Sequence, residues 1–259
     1  MSSLNPPIRT WANKTVWVVG ASDGIGKALA ERLTELGANV IATARRPQAL
    51  AALTPPAWRI LPADIGQTES LDQAFKEIVA CGKAVDVVFW VAGVYHPMGS
   101  ASLDLAAVEE TFNVNVLSGY RGLKAMLDLW LATPSPGKRH WVWISSVAGY
   151  RGLPQAAAYG ASKAALTYLA ETNYLELKPL GIGVSVVSPG FVESRLTNKN
   201  NFHMPAMITP KQAAEFTLSG MGRGEFEIHY PKRFSLVMKL LEILPYRLYF
   251  ALARKSLPK

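Results

Sequence analysis

The sequence predicts an α/β fold, a single doubly wound parallel β-sheet with helices on both faces. Three observations predict it. Continuous apolar runs alternate with stretches of helical periodicity from residue 14 onward, the connections between them are short, and a glycine-rich turn closes the first run. Strands buried on both faces read as unbroken apolar runs, and strict alternation with helices implies parallel pairing through crossovers. In such sheets ligands bind beyond the carboxyl ends of the strands, so the residues that follow each strand carry the functional reading.

The elements follow in order. "TVWVVG" (15–20) is an apolar run ending in glycine and reads as the first strand. "IGKALAERLTELG" (25–37) has helical spacing and a glycine stop. "NVIATAR" (39–45) is a second strand, "SLDQAFKEIVACG" (70–82) a helix and "VDVVFWVAG" (85–93) a third strand. Residues 104–132 form a long helical stretch, with an irregularity expected near Asn115. "RHWVWISS" (139–146) is a fourth strand, 156–177 a helix and "GVSVVSPG" (183–190) a fifth strand. No repeat, linker or low-complexity segment intervenes. The expected division is one domain over 1–230 and an extension over 231–259.

With 259 residues, 49% hydrophobic and 18% charged, the chain can bury a large core and is not disordered in composition. Its one cysteine, Cys81, allows no internal disulfide, which suits a reducing, cytoplasmic setting. The first residues show no signal-peptide pattern, and no apolar run is long enough for a transmembrane helix. The net charge is +8, but residues 231–259 hold seven cations against Glu242, so +6 of it sits there. The basic pI is therefore local, and no motif supports nucleic-acid binding. His96, His140, His203 and His229 lack metal-ligand spacing, so no metal site is expected. Surface or loop roles are, with His203 at the substrate entrance. Glu109 and Glu110 read as a solvated helix face.

After the first strand, "GASDGIG" places Gly20, Gly24 and Gly26 between strand and helix. Glycines there permit a sharp turn and a close approach of pyrophosphate to the helix start, where free N–H groups and the dipole favour an anion. The second strand ends in Ala44, followed by Arg45 and Arg46. A dinucleotide site selective for NAD ends this strand in a carboxylate that binds the ribose 2′-hydroxyl. Two cations instead suit the 2′-phosphate of NADP(H).

"GASDGIG", "YGASK" and "SPGFVES", in this order and spacing, resemble the short-chain dehydrogenases/reductases, in a bacterial-type form, over roughly residues 13–220. The resemblance implies a Rossmann-type fold, an NADP(H) cofactor and hydride transfer between it and a small-molecule carbonyl or alcohol. It selects Ser146, thirteen residues before the tyrosine, over Ser145. It carries over Tyr159 and Lys163 as catalytic, and Asn115 rather than Asn113 as the helix asparagine. The coenzyme residues it implies are Gly20, Ser22, Asp23, Ile25, Arg45, Asp64, Ala92 and Gly93. Pro189, Gly190, Val192 and Ser194 follow from the segment after the fifth strand, and Tyr159 and Lys163 also bind the nicotinamide side. A homo-oligomer, dimer or tetramer, is implied as well. Three departures stand out: Val19 replaces a threonine, Trp90 and Val91 replace two asparagines that brace the sheet, and Ser194 replaces a threonine.

Residues i and i+4 share a helix face, so Tyr159 and Lys163 point into the same space. A fixed ammonium favours phenolate, bound oxidised nicotinamide would push the same way, and on this reasoning Lys163 and the cofactor bring the Tyr159 pKa toward the working pH. In reduction Tyr159 delivers the proton and Ser146 binds the carbonyl oxygen. By resemblance, Lys163 also holds the nicotinamide ribose, and Asn115 positions a water that resupplies the proton. Reduction of a ketone, aldehyde or oxoacyl carbonyl is the reading. The alternatives are an NADP-linked alcohol dehydrogenase working oxidatively and a non-catalytic sensor of NADP(H), which would have no need of an intact Ser146, Tyr159 and Lys163.

The resemblance makes 193–212 a lid over the substrate, where Phe202, Met204 and Met207 suit a lipophilic compound or simply pack on the core. The 231–259 extension reads as a basic amphipathic helix broken at Pro245. Such a segment can lie peripherally on an anionic bilayer or pack against the domain or a partner subunit. Packing is the expectation, because apolar residues at helical spacing are more often buried against protein.

Overall fold

The computed structural model describes residues 3–133, 139–199 and 204–254. Along the chain run β1 (Thr15–Val19), α1 (Gly24–Glu35), β2 (Asn39–Ala44), α2 (Pro47–Ala51), β3 (Arg59–Pro62), α3 (Thr68–Ala80) and β4 (Val87–Trp90). Then come α4 (Leu105–Phe112), α5 (Ser118–Ala132), β5 (Arg139–Ile144), α6 (Ala157–Leu177), β6 (Ile182–Pro189), α7 (Pro210–Arg223) and β7 (Glu227–Tyr230). The chain ends in α8 (Lys232–Ile243) and α9 (Tyr246–Ala253). The strands form one seven-stranded sheet in the order β3-β2-β1-β4-β5-β6-β7, every neighbouring pair parallel. The order reverses between β1 and β4, which opens a crevice at their carboxyl ends.

Alternation along the strands divides the core into two layers. Val16 and Val18 of β1 join Val40, Phe89, Val142 and Val187 beneath Leu29 and Leu33 of α1 and Ala213, Leu218 and Met221 of α7. Trp17 and Val19 face the other way, with Ile41, Val88 and Val186, beneath α3, α5 and α6. Fully burying an aliphatic or aromatic side chain contributes about 1.5–3 kcal/mol.

The second layer is built around tryptophan. Trp90 and Trp141 stack with ring centroids 5.5 Å apart, and Trp17 and Trp130 meet them edge-on at 5.8 and 6.4 Å. Gly122 of α5 makes room: a Cβ there would sit 2.3 Å from the Trp90 ring. Trp90 is thus a packing residue where the resembling family has asparagine, and its indole N–H has no hydrogen-bond partner among the described residues. The turn keeps its backbone bonds all the same, because the amides of Val91 and Ala92 both donate to Val19 O at 2.9 Å.

Two expectations are corrected, the number of strands and the place of His140. The sheet has β3 and β7 beyond the five strands expected, one on each edge. The 104–132 stretch is α4 and α5 joined by a π turn at Asn113–Leu117, in which Ser118 N–H reaches back to Asn113 O. That is the irregularity expected at Asn115. His140 is buried at the start of β5, bonded to Ser185 Oγ at 3.0 Å, and burial pushes its pKa down to about 3. It is a neutral core residue rather than a surface one. His96 fits a loop role and meets Glu110 at 2.9 Å, while His203 and Phe202 lie outside the described residues. Met207 is 41% exposed.

The extension folds as α8 and α9, broken at Pro245, against the body. Glu227 of β7 accepts from Lys239 and from the Tyr150 hydroxyl, and His229 Nδ1 meets Ser235 Oγ at 2.7 Å. Burial raises the Glu227 pKa, but the bonds from Lys239 and Tyr150 outweigh it and keep the carboxylate charged. Arg151 donates to the carbonyls of Leu241, Glu242 and Leu244 at 2.8, 2.6 and 2.6 Å, which caps the end of α8. Its guanidinium also lies 4.3 Å from the Tyr249 ring centroid, and the Tyr249 hydroxyl donates to Gly152 O.

Candidate active site

The crevice at the β1–β4 switch is a cleft of about 500 Å³. One end is the glycine turn. Gly20 has φ +97°, and a Cβ there would lie 2.6 Å from Ala92 N, so the turn takes no side chain. A Cβ on Gly26 would lie 2.1 Å from Gly20 O, so helix and turn touch backbone to backbone. Among the described residues no side chain caps the amino terminus of α1, whose first residues Gly24 and Ile25 line the cleft beside Ser22. The Asp23 carboxylate turns aside and accepts from Arg195 N at 2.9 Å. This bond joins the glycine turn to the segment after β6.

Past β2, Ala44 is buried and Arg45 and Arg46 line the rim. Neither arginine makes an ion pair among the described residues. Asp64, Ala92 and Gly93 form the wall between, and Pro189, Gly190, Val192 and Ser194 close the far side. Asp64 Oδ1 is held by Gly66 N at 3.0 Å.

Ser146, Tyr159 and Lys163 converge at the other end of the cleft. The two serines at the end of β5 part company. Ser145 Oγ donates to Lys163 O at 2.7 Å and meets Thr167 Oγ1 at 3.0 Å, behind α6. Ser146 Oγ faces the cleft, accepting from Ala148 N at 3.1 Å and donating to Pro189 O at 3.4 Å. Lys163 is buried and donates from Nζ to Ile144 O at 2.8 Å. Burial pushes its pKa down to about 8. Burial likewise pushes Tyr159 up to about 12, against a bond with Ser146 that lowers it, while Tyr95 adds to the rise. The expected lowering of Tyr159 by Lys163 is therefore overturned in the protein alone, because desolvation of the phenolate wins.

Asn115 does not line the cleft. It is fully buried behind Gly93: Oδ1 accepts from Val94 N at 2.7 Å, and Nδ2 donates to Val94 O at 3.1 Å and Ser162 Oγ at 2.9 Å. Ser162 Oγ in turn donates to Tyr159 O at 2.7 Å. The asparagine ties the loop after β4 to the turn of α6 that carries the tyrosine.

Tyr95 was not among the expected residues. It lines the cleft, 7% exposed, its ring centroid 5.0 Å from that of Tyr159 in an edge-on contact. Lys199 Nζ holds its carbonyl at 2.8 Å. Its place just past β4, at the carboxyl end of a strand, was the available pointer.

A sequence model of the short chain dehydrogenase family matches residues 14–204. An uncharacterized oxidoreductase of Myxococcus xanthus is 32% identical over 248 residues, 93% of this chain and 97% of its own length. Among solved structures, the NADP complex of RhlG from Pseudomonas aeruginosa superposes with a TM-score of 0.79 at 25% identity, covering 89% of this chain and 99% of that one. A short chain dehydrogenase/reductase from Burkholderia phymatum in complex with NAD superposes at 0.81 with 20% identity, covering 90% and 94%.

Proposed function

The chain belongs to the short-chain dehydrogenase/reductase family of oxidoreductases, and we propose that it is an NADPH-dependent reductase of a ketone, aldehyde or oxoacyl carbonyl. One observation carries the reading: a single cleft joins an uncapped helix start and a pair of unpaired arginines at one end to Ser146, Tyr159 and Lys163 at the other.

The residues fit a dinucleotide. Two glycines whose side-chain space is already taken by backbone leave the start of α1 open to a pyrophosphate. Ala44 offers no carboxylate to a ribose 2′-hydroxyl, and Arg45 and Arg46 supply two cations for a 2′-phosphate. Asp64 with Ala92 and Gly93 would bound the adenosine half, and Lys163 with Tyr159 the nicotinamide ribose. Pro189, Gly190, Val192 and Ser194 would hold the carboxamide side. Ser194 keeps the hydroxyl of the threonine it replaces.

A reduced nicotinamide held beside Tyr159 and Lys163 would supply hydride to the carbonyl carbon. Negative charge then gathers on the carbonyl oxygen, where the Ser146 hydroxyl donates a hydrogen bond and the Tyr159 hydroxyl delivers its proton. With a pKa of about 12, Tyr159 holds that proton throughout the neutral range and is loaded as an acid. Lys163, near 8, is close enough to neutrality to return one. Asn115 acts by position, fixing the loop after β4 against α6. The apolar part of the cleft, with Tyr95, Val192 and Leu196, favours a lipophilic substrate.

The test is a screen of ketones, aldehydes and oxoacyl thioesters with NADPH and with NADH, following loss of reduced-nicotinamide absorbance. Turnover of at least one carbonyl class with NADPH preferred is expected. Binding of NADPH without turnover of any class would point to a cofactor sensor.

A further inference from the structure

The reductase chemistry makes no use of the outer face of α8 and α9. Their inner face is already taken: Ser235, Met238 and Tyr249 are buried, and Glu227, His229 and Arg151 hold the two helices to the body. The outer face carries Leu236, Val237, Leu240, Ile243, Tyr246 and Phe250, each between 52% and 77% exposed. Leu236, Leu240 and Ile243 follow one another at i, i+4 and i+7, so they form a single stripe along α8. Tyr246 and Phe250 continue it on α9 with rings stacked 5.6 Å apart.

Cations surround this stripe. Lys232, Arg233, Arg247 and Arg254 are exposed and make no ion pair among the described residues. No helix of the described residues is long and apolar enough to cross a membrane. An apolar stripe flanked by unpaired cations on a helix too short to span is the pattern of a segment lying in the plane of a bilayer.

We propose that the outer face of α8 and α9 docks on an anionic lipid bilayer. Charge decides between this and a second copy of the chain. A two-fold interface would set the same surface against itself, bringing the cations of one copy toward those of the other. Anionic headgroups complement the cations while the acyl region receives the stripe. The site has a consequence for the cleft. Phe234, in the first turn of α8, lies with its ring centroid 5.5 Å from that of Phe191, next to the cleft-lining Gly190. Docking through α8 thus holds the cleft near the lipid surface, where a lipophilic carbonyl compound would be concentrated.

The proposal is tested by co-sedimentation of the full chain with phosphatidylglycerol-containing vesicles and with phosphatidylcholine vesicles. The protein should pellet with the anionic vesicles at low salt, stay in the supernatant with the zwitterionic ones, and be released as salt screens the cations. Replacing Lys232→Gln and Arg233→Gln, both exposed, should weaken partition roughly fivefold per charge removed. Leu240→Glu with Ile243→Glu should abolish it while NADPH still binds. Failure of the intact chain to pellet with anionic vesicles at low salt would overturn the proposal, as would binding indifferent to the charge variants. A drop in hydrodynamic size of the glutamate variant, with vesicles ignored by both proteins, would assign the face to a second copy instead.

Discussion

The Lys163 ammonium nitrogen lies 5.6 Å from the centroid of the Tyr159 ring, while it donates to the Ile144 carbonyl at 2.8 Å. One helical turn places the two residues on the same face, but the carbonyl at the end of β5 holds the lysine in a buried seat. Desolvation there favours the neutral amine, and in the same cleft it favours the neutral phenol. The pair is thus set with the proton on tyrosine and with a lysine that gives its proton up readily.

Lys163 makes stability depend on pH. Burial takes its pKa from the usual 10.5 to about 8, so between those values the unfolded chain binds a proton that the folded chain does not. Stability from this group therefore rises with pH across that window, and Tyr159, raised from 10.0 to about 12, opposes it only above pH 10. Lys163→Met should remove the dependence. Its stability relative to the parent, from urea unfolding, should be about 3 kcal/mol more favourable at pH 7 than at pH 10.

On the proposed function, cofactor choice rests on Ala44 and Arg45. Ala44→Asp with Arg45→Ser removes a charged partner of a 2′-phosphate and adds a carboxylate for a 2′-hydroxyl. Losing one charge-assisted bond of about 1.5–3 kcal/mol should weaken NADPH by roughly 10- to 150-fold. Isothermal titration with both nucleotides measures it, and NADH binding should hold or improve.

The tryptophan layer makes α5 intolerant of growth. In Gly122→Ala the new Cβ would lie 2.3 Å from the Trp90 ring, itself wedged against Trp141 and Trp17. Overpacking of this kind costs about 1–3 kcal/mol. A thermal melt should fall by roughly 2–4 °C per kcal/mol in a chain of this size. Trp90→Asn, which restores the residue of the resembling family, should destabilise further by leaving a cavity against Gly122.

Much of this architecture is legible in the sequence because the central strands are buried on both faces. "TVWVV" and "RHWVWI" can be little else. β3 and β7 are not, since they lie on the edges: in "RILP" only Leu61 is buried, and "EIHY" alternates. The site residues follow from spacing because glycine turn, serine, tyrosine and lysine are each tied to a strand end or a helix turn. Tyr95 carries no motif beyond its place just past β4, and its contact with Tyr159 shows only when the loop after β4 folds. The rise in the Tyr159 pKa is equally hidden, being a property of how deeply neighbours bury it. Helical spacing in the extension predicts a packed face and a solvated one, and cannot say that apolar residues occupy both.

The central claim is that Tyr159 protonates the carbonyl oxygen in a cleft that binds NADPH independently of that hydroxyl. Tyr159→Phe tests it most directly, with NADPH affinity followed by nucleotide fluorescence and turnover measured on the best carbonyl substrate. Affinity should stay within a few fold while turnover falls by about 10²–10⁴, the usual worth of a general acid. Turnover retained at the parent level would contradict the account.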